Sequence, residues 1–83
     1  MNTNKIKNKI DKVWDRMCLC KPTVIQSPKT LSYSFVDGDM NNILTLTIKE
    51  LMLMDKSVQA FFKTKTIDAE TAMGEIGLWC YRD

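Results

Sequence analysis

Residues 31–50 read LSYSFVDGDMNNILTLTIKE. Leu31, Tyr33 and Phe35 alternate with Ser32 and Ser34, and Leu44, Leu46 and Ile48 alternate with Thr45 and Thr47. A period of two places one side chain in and the next out, which is the pattern of a half-buried strand. Between the runs stands Asp37-Gly38-Asp39-Met40-Asn41-Asn42, a cluster of turn formers. Two alternating runs around such a cluster predict a β-hairpin with a loop longer than the tight two-residue type.

Upstream, Ile6, Ile10, Val13 and Met17 recur at i, i+4, i+7 and i+11, with Trp14 beside them. That spacing predicts an amphipathic helix over residues 4–19, capped by Thr3 or Asn4 and stopped before Pro22. Residues 21–30 hold both prolines of the chain and predict a connector rather than a central strand, with Val24 and Ile25 tacked to the core. Downstream, Thr47 and Glu50 stand three apart as in a capping box, predicting a helix over residues 50–64. Leu51, Met54, Val58 and Phe61 would form its stripe, with Met52, Leu53 and Phe62 widening it. A strand continued through residues 51–54 is the alternative, because four consecutive apolar residues satisfy either period. A last helix is predicted from near Thr66 to about residue 80, with Asp68 and Glu70 in its first turn and Ala69, Met73, Ile76 and Trp79/Cys80 as its stripe. Gly77 could end it early and leave a short edge strand over 78–82. The sum is one small α+β domain over 1–83, a hairpin packed against about three helices in the order α-β-β-α-α.

The 83 residues leave no room for a second domain, and 45% hydrophobic with 27% charged residues favours folding over disorder. The chain has no histidine, which excludes Ser–His and Cys–His nucleophilic catalysis and mixed His/Cys zinc sites. Carboxylates form no recognisable acid/base pair, and three glycines build no phosphate loop. Binding rather than catalysis is expected, with no cofactor and no metal. No apolar run approaches the roughly 18 residues of a membrane span. The lysine-rich first eleven residues have no apolar signal core, and the three cysteines are an odd number. A reducing compartment and a cytoplasmic location are therefore expected, of the host cell if the protein is phage-encoded.

The formal charge of +2 conceals a split. Residues 1–30 carry seven basic against two acidic side chains, a net +5, and residues 31–83 carry five against eight, a net −3. Lys5, Lys9, Lys12 and Arg16 make the first helix a candidate surface for phosphates or for an acidic protein. The competing account is a solvated face, partly paired to the acidic half of the same chain.

The remaining candidates each have a plainer account. Cys18-x-Cys20 with Cys80 lacks an obvious fourth ligand, and core thiols explain it. Asp37-x-Asp39-x-Asn41 echoes a calcium loop, but Ile48 stands where a bidentate Glu is needed, so a hairpin turn explains it. Tyr33 and Phe35 could stack on bases, yet the helices need a sheet face to cover. A helix-turn-helix in the last two helices would carry Asp68, Glu70 and Glu75 toward phosphates. The apolar set Leu51, Met52, Leu53, Met54, Phe61 and Phe62 is wider than one buried stripe, which points to a homodimer or partner interface.

In size and in its Lys/Asn/Met-rich composition without catalytic residues, the chain is broadly similar to accessory proteins of phages and mobile elements. That similarity implies a non-enzymatic protein that regulates or inhibits a macromolecular partner, most naturally a protein. A small RNA- or DNA-binding module using the basic helix is the alternative.

Overall fold

The computed structural model describes residues 3–64 and 67–81. Its elements are α1 (Thr3–Cys20), β1 (Thr23–Ser27), β2 (Ser32–Val36), β3 (Asn42–Thr47), α2 (Ile48–Leu51), α3 (Lys56–Phe61) and α4 (Ala69–Tyr81). The α+β class is as expected. The sheet has three antiparallel strands in the order β1-β2-β3.

The expected hairpin is β2–β3, with Tyr33 opposite Leu46 and Phe35 opposite Leu44. The register slips between Phe35 and Val36, and Ile43 is the extra residue. Asp37 closes the loop by accepting the backbone N–H groups of Asp39 and Asn41, both at 2.9 Å. These bonds, that of Asn41 first, hold its carboxyl below the usual range.

The connector expected over 21–30 contains a strand instead. β1 runs between Pro22 and Pro28 and lies at the sheet edge, so neither proline removes a ladder bond. Two prolines six residues apart frame an edge strand as readily as they forbid a central one. Val24 then joins Tyr33, Phe35, Leu44 and Leu46 on the face that meets the helices. Ile25, expected to be tacked to the core, is on the other face and exposed. There Ser34 and Thr45 share a hydroxyl bond at 3.2 Å.

α1 buries Ile6, Ile10 and Met17 and lies against β3. Both expected caps, Thr3 and Asn4, fall inside the helix. It ends at Cys20, and Lys21, with a left-handed φ of 47°, leads into Pro22. The helix expected over 50–64 is two short ones. Thr47 and Glu50 form the capping box in both directions, at 3.1 and 2.9 Å. The chain then turns at Met52–Met54, where the Gln59 side-chain amide donates to the carbonyl of Met54 at 2.9 Å, and Asp55 opens α3. This break sends Phe62 rather than Phe61 into the core beside Tyr33 and Phe35. Such edge-to-face ring pairs add about 0.5–1.5 kcal/mol each beyond burial.

α4 buries Ala69, Ala72, Met73, Ile76 and Trp79, close to the expected stripe, and stays helical through Tyr81. Asp68 is its cap: one carboxylate oxygen accepts the N–H of Glu70 and the other the Thr71 hydroxyl. The expected start at Thr66 and the end of the alternative strand, Arg82, lie outside the described residues. Where α1 and α4 cross, a Cβ on Gly77 would stand 2.9 Å from the Trp14 ring. Tyr81 packs edge-on to Trp14 and donates to Asp11 at 2.7 Å. That bond lifts its phenol to about 12. No helix among the described residues is long and apolar enough to cross a membrane.

Candidate functional site

On α1, Lys5, Lys9, Lys12 and Arg16 stand at i, i+4, i+7 and i+11 and so share one flank of the helix. The structure divides them. Lys9 donates to both carboxylate oxygens of Glu50, at 3.2 and 3.3 Å. Glu50 is buried, and the same carboxylate serves the capping box, so Lys9 ties α1 to the start of α2. Arg16 reaches Asp37 at 3.5 Å and ties the helix to the β2–β3 loop. Lys5 and Lys12 are exposed and make no ion pair among the described residues. On the opposite flank Lys7 lies over the Trp79 ring, 5.1 Å from its centroid.

The six apolar candidates separate as well. Leu51, Met54 and Phe62 are core residues. Phe61 is half-buried, whereas Met52 is 68% and Leu53 39% exposed, at the tip of the turn after α2. They have a neighbour that the alternation concealed. Leu31 was expected on the core face with Tyr33 and Phe35, but it precedes β2 with a φ of 50° and is 61% exposed. Its carbonyl accepts the Ile48 N–H, and the Ile48 carbonyl accepts the Met52 N–H, so the three residues follow one another across one end of the sheet. Leucine carries no sequence signal for a left-handed residue, because it rarely adopts that region.

A cleft of about 200 Å³ opens at this end, between Tyr33, Ile48, Met52 and Phe62, with Leu51, Gln59 and Lys63 completing it. A larger one, of about 600 Å³, lies at the other end of the sheet, where α1 ends, β1 begins and α4 begins. Met17, Val24, Ile67 and Met73 wall it, with Lys21 and Asp68 beside them. The Asp68 carboxylate is held below its usual range by the Thr71 hydroxyl first and then by backbone N–H groups. It adjoins residues 65 and 66, which lie outside the described ones.

Two of the three cysteines depart from the core placement expected of them, while Cys80 packs against the core. Cys18 and Cys20 are exposed because Met17 takes the inward position of that turn. Cys80 is half-buried, and burial pushes its thiol up to about 11. Among the described residues no group of His, Cys, Asp or Glu is arranged to hold a metal ion.

In comparison with known proteins, no family model, no curated protein and no solved structure matches this chain.

Proposed function

We propose that the chain is a non-enzymatic interaction protein that regulates or inhibits a macromolecular partner. It meets a protein partner through the end of the molecule that presents Leu31, Met52 and Leu53. The observation that carries this is Leu31. A left-handed backbone costs a leucine about 1–2 kcal/mol, and Gly or Asn would serve the turn better. Its side chain is also 61% exposed, so the fold gains little from an apolar group there. An exposed apolar residue in an unfavourable backbone conformation supports a contact outside the chain. Met40 in the β2–β3 loop, with a φ of 65° and 65% exposed, shares both features. What sets Leu31 apart is that its carbonyl accepts from Ile48, whose own carbonyl accepts from the exposed Met52. Met52 and Leu53 extend it into an apolar surface, and a methionine adapts to an irregular partner.

A protein is favoured over nucleic acid because Lys9 and Arg16 are engaged with Glu50 and Asp37. On that flank Lys5 and Lys12 remain, and two phosphate contacts give weak, salt-sensitive binding.

The test is affinity capture from native lysate with the tagged chain, with and without nuclease. Leu31→Asn is expected to be at least as stable as the parent in urea unfolding while losing most of the captured partner, as is Met52→Glu. Capture should survive nuclease. Unchanged capture by both variants, or capture abolished by nuclease, overturns the proposal. Light scattering on the same variants shows whether the partner is a second copy of the chain.

A further inference from the structure

We infer that the cleft beside Leu31 takes a single aromatic side chain from an acidic segment of the partner. This rests on the proposal that this end of the molecule is the interface.

Size comes first. At about 200 Å³ the cleft falls below the roughly 300–1,000 Å³ of small-molecule pockets. It is close to the ~150 Å³ in which an apolar cavity accepts benzene. That volume matches a single ring.

The lining selects the kind of side chain. Tyr33 and Phe62 form an edge-to-face pair with centroids 5.0 Å apart, and Met52 contributes a thioether. A third ring can join such a pair edge-on or face-on and meet the sulfur at its rim. Polar groups in the wall are already spent: the Tyr33 hydroxyl donates to the Phe62 carbonyl at 2.9 Å, and the Gln59 amide nitrogen to that of Met54. Apart from the Lys63 ammonium at its edge, the wall therefore offers contact area to a ring rather than a donor to a polar head.

Charge selects what flanks the ring. Lys63 lines the cleft, Lys49 follows Ile48, and Lys29 lies two residues before Leu31; all three are exposed. The nearby acids are Glu50, which is buried and paired with Lys9, and Asp55 at the start of α3. The rim is thus positive, and rim charges set encounter rate and partner choice. This surface is separate from the α1 flank, and of the basic residues counted in the first 30 it draws on Lys29.

The experiment is a titration of the 83-residue chain, followed by amide NMR, with three capped peptides: Glu-Asp-Phe-Asp-Glu, Lys-Lys-Phe-Lys-Lys and Glu-Asp-Ala-Asp-Glu. The first should shift the amides of Ile48, Met52 and Phe62, bind about tenfold more tightly than the other two, and weaken as salt rises. Lys63→Glu should lose that preference while the variant keeps its fold by circular dichroism. Equal affinity for the acidic and basic peptides, equal affinity for the Phe and Ala peptides, or no shift at those three amides overturns the inference. If lysate capture still depends on Leu31 when the peptide fails, the interface stands and the acidic aromatic anchor falls. If capture is also indifferent to Leu31, both fall.

Discussion

Gly77 and Gly74 lie three residues apart on α4 and should respond oppositely to the same substitution. Alanine in place of a helical glycine normally adds about 1 kcal/mol, because the unfolded chain has less freedom to lose. Around Gly74 a new Cβ meets nothing within 4 Å, so Gly74→Ala should realise that gain. At Gly77 it would stand 2.9 and 3.1 Å from two Trp14 ring atoms. The indole must move, and its edge contact with Tyr81 must move with it. Gly77→Ala is therefore expected to gain nothing or to lose stability, with altered Trp fluorescence. Urea unfolding of the two variants, read by far-UV dichroism, checks the order. Leu31 is the other residue at which local geometry decides the outcome. A period-two pattern describes alternation but not the point where a strand begins. Moving that start from Leu31 to Ser32 turns a core residue into a surface one.

At the scale of elements, what could be read from the sequence depended on how many arrangements satisfied the same pattern. α1 and α4 were legible because Ile6, Ile10 and Met17, and Ala69, Met73 and Ile76, fit the helical period and no other. The hairpin was legible for the same reason. The break between α2 and α3 was not, because Leu51-Met52-Leu53-Met54 is apolar at every position and the stabilising bond comes from Gln59, five residues beyond Met54. The capping box was visible as Thr47 with Glu50, but its third member, Lys9, is 41 residues away in sequence. Glu50 therefore holds three things at once: the Thr47 N–H, the start of α2 and the Lys9 ammonium. Glu50→Ala is expected to cost about 1–3 kcal/mol, since a buried acceptor for both donors disappears. Glu50→Gln should cost less, because the amide oxygen still accepts from Thr47. The fall in urea midpoint for the pair checks this. A loss of under half the expected range for Glu50→Ala would mean that water replaces the carboxylate.

At the scale of the whole molecule, two ion pairs among the described residues join the basic helix to the acidic remainder. The charge split was plain in the sequence, but its destination was not. Opposite charges on two halves of one chain serve equally to attract a partner or to attach the halves to each other. Lys9–Glu50 and Arg16–Asp37 assign two of the four candidate side chains to the second role. Reversing all four charges would thus mix a folding defect with a binding defect, and the positions have to be separated. Lys9→Glu sets a second carboxylate against a buried one, so with Arg16→Glu it should lower stability by about 2 kcal/mol or more, most of it from Lys9 because Arg16–Asp37 is a surface pair. Lys5→Glu with Lys12→Glu touches only exposed positions and should stay within about 0.5 kcal/mol of the parent. Denaturant unfolding of the two double variants tests the division. A Lys5/Lys12 variant that unfolds as early as the Lys9/Arg16 variant would show that the whole flank, rather than two of its four members, holds the helix in place. If the division holds, the Lys5/Lys12 variant is the clean probe of nucleic-acid binding. Retention of a salt-sensitive RNA or DNA complex in it would exclude this flank as the contact surface.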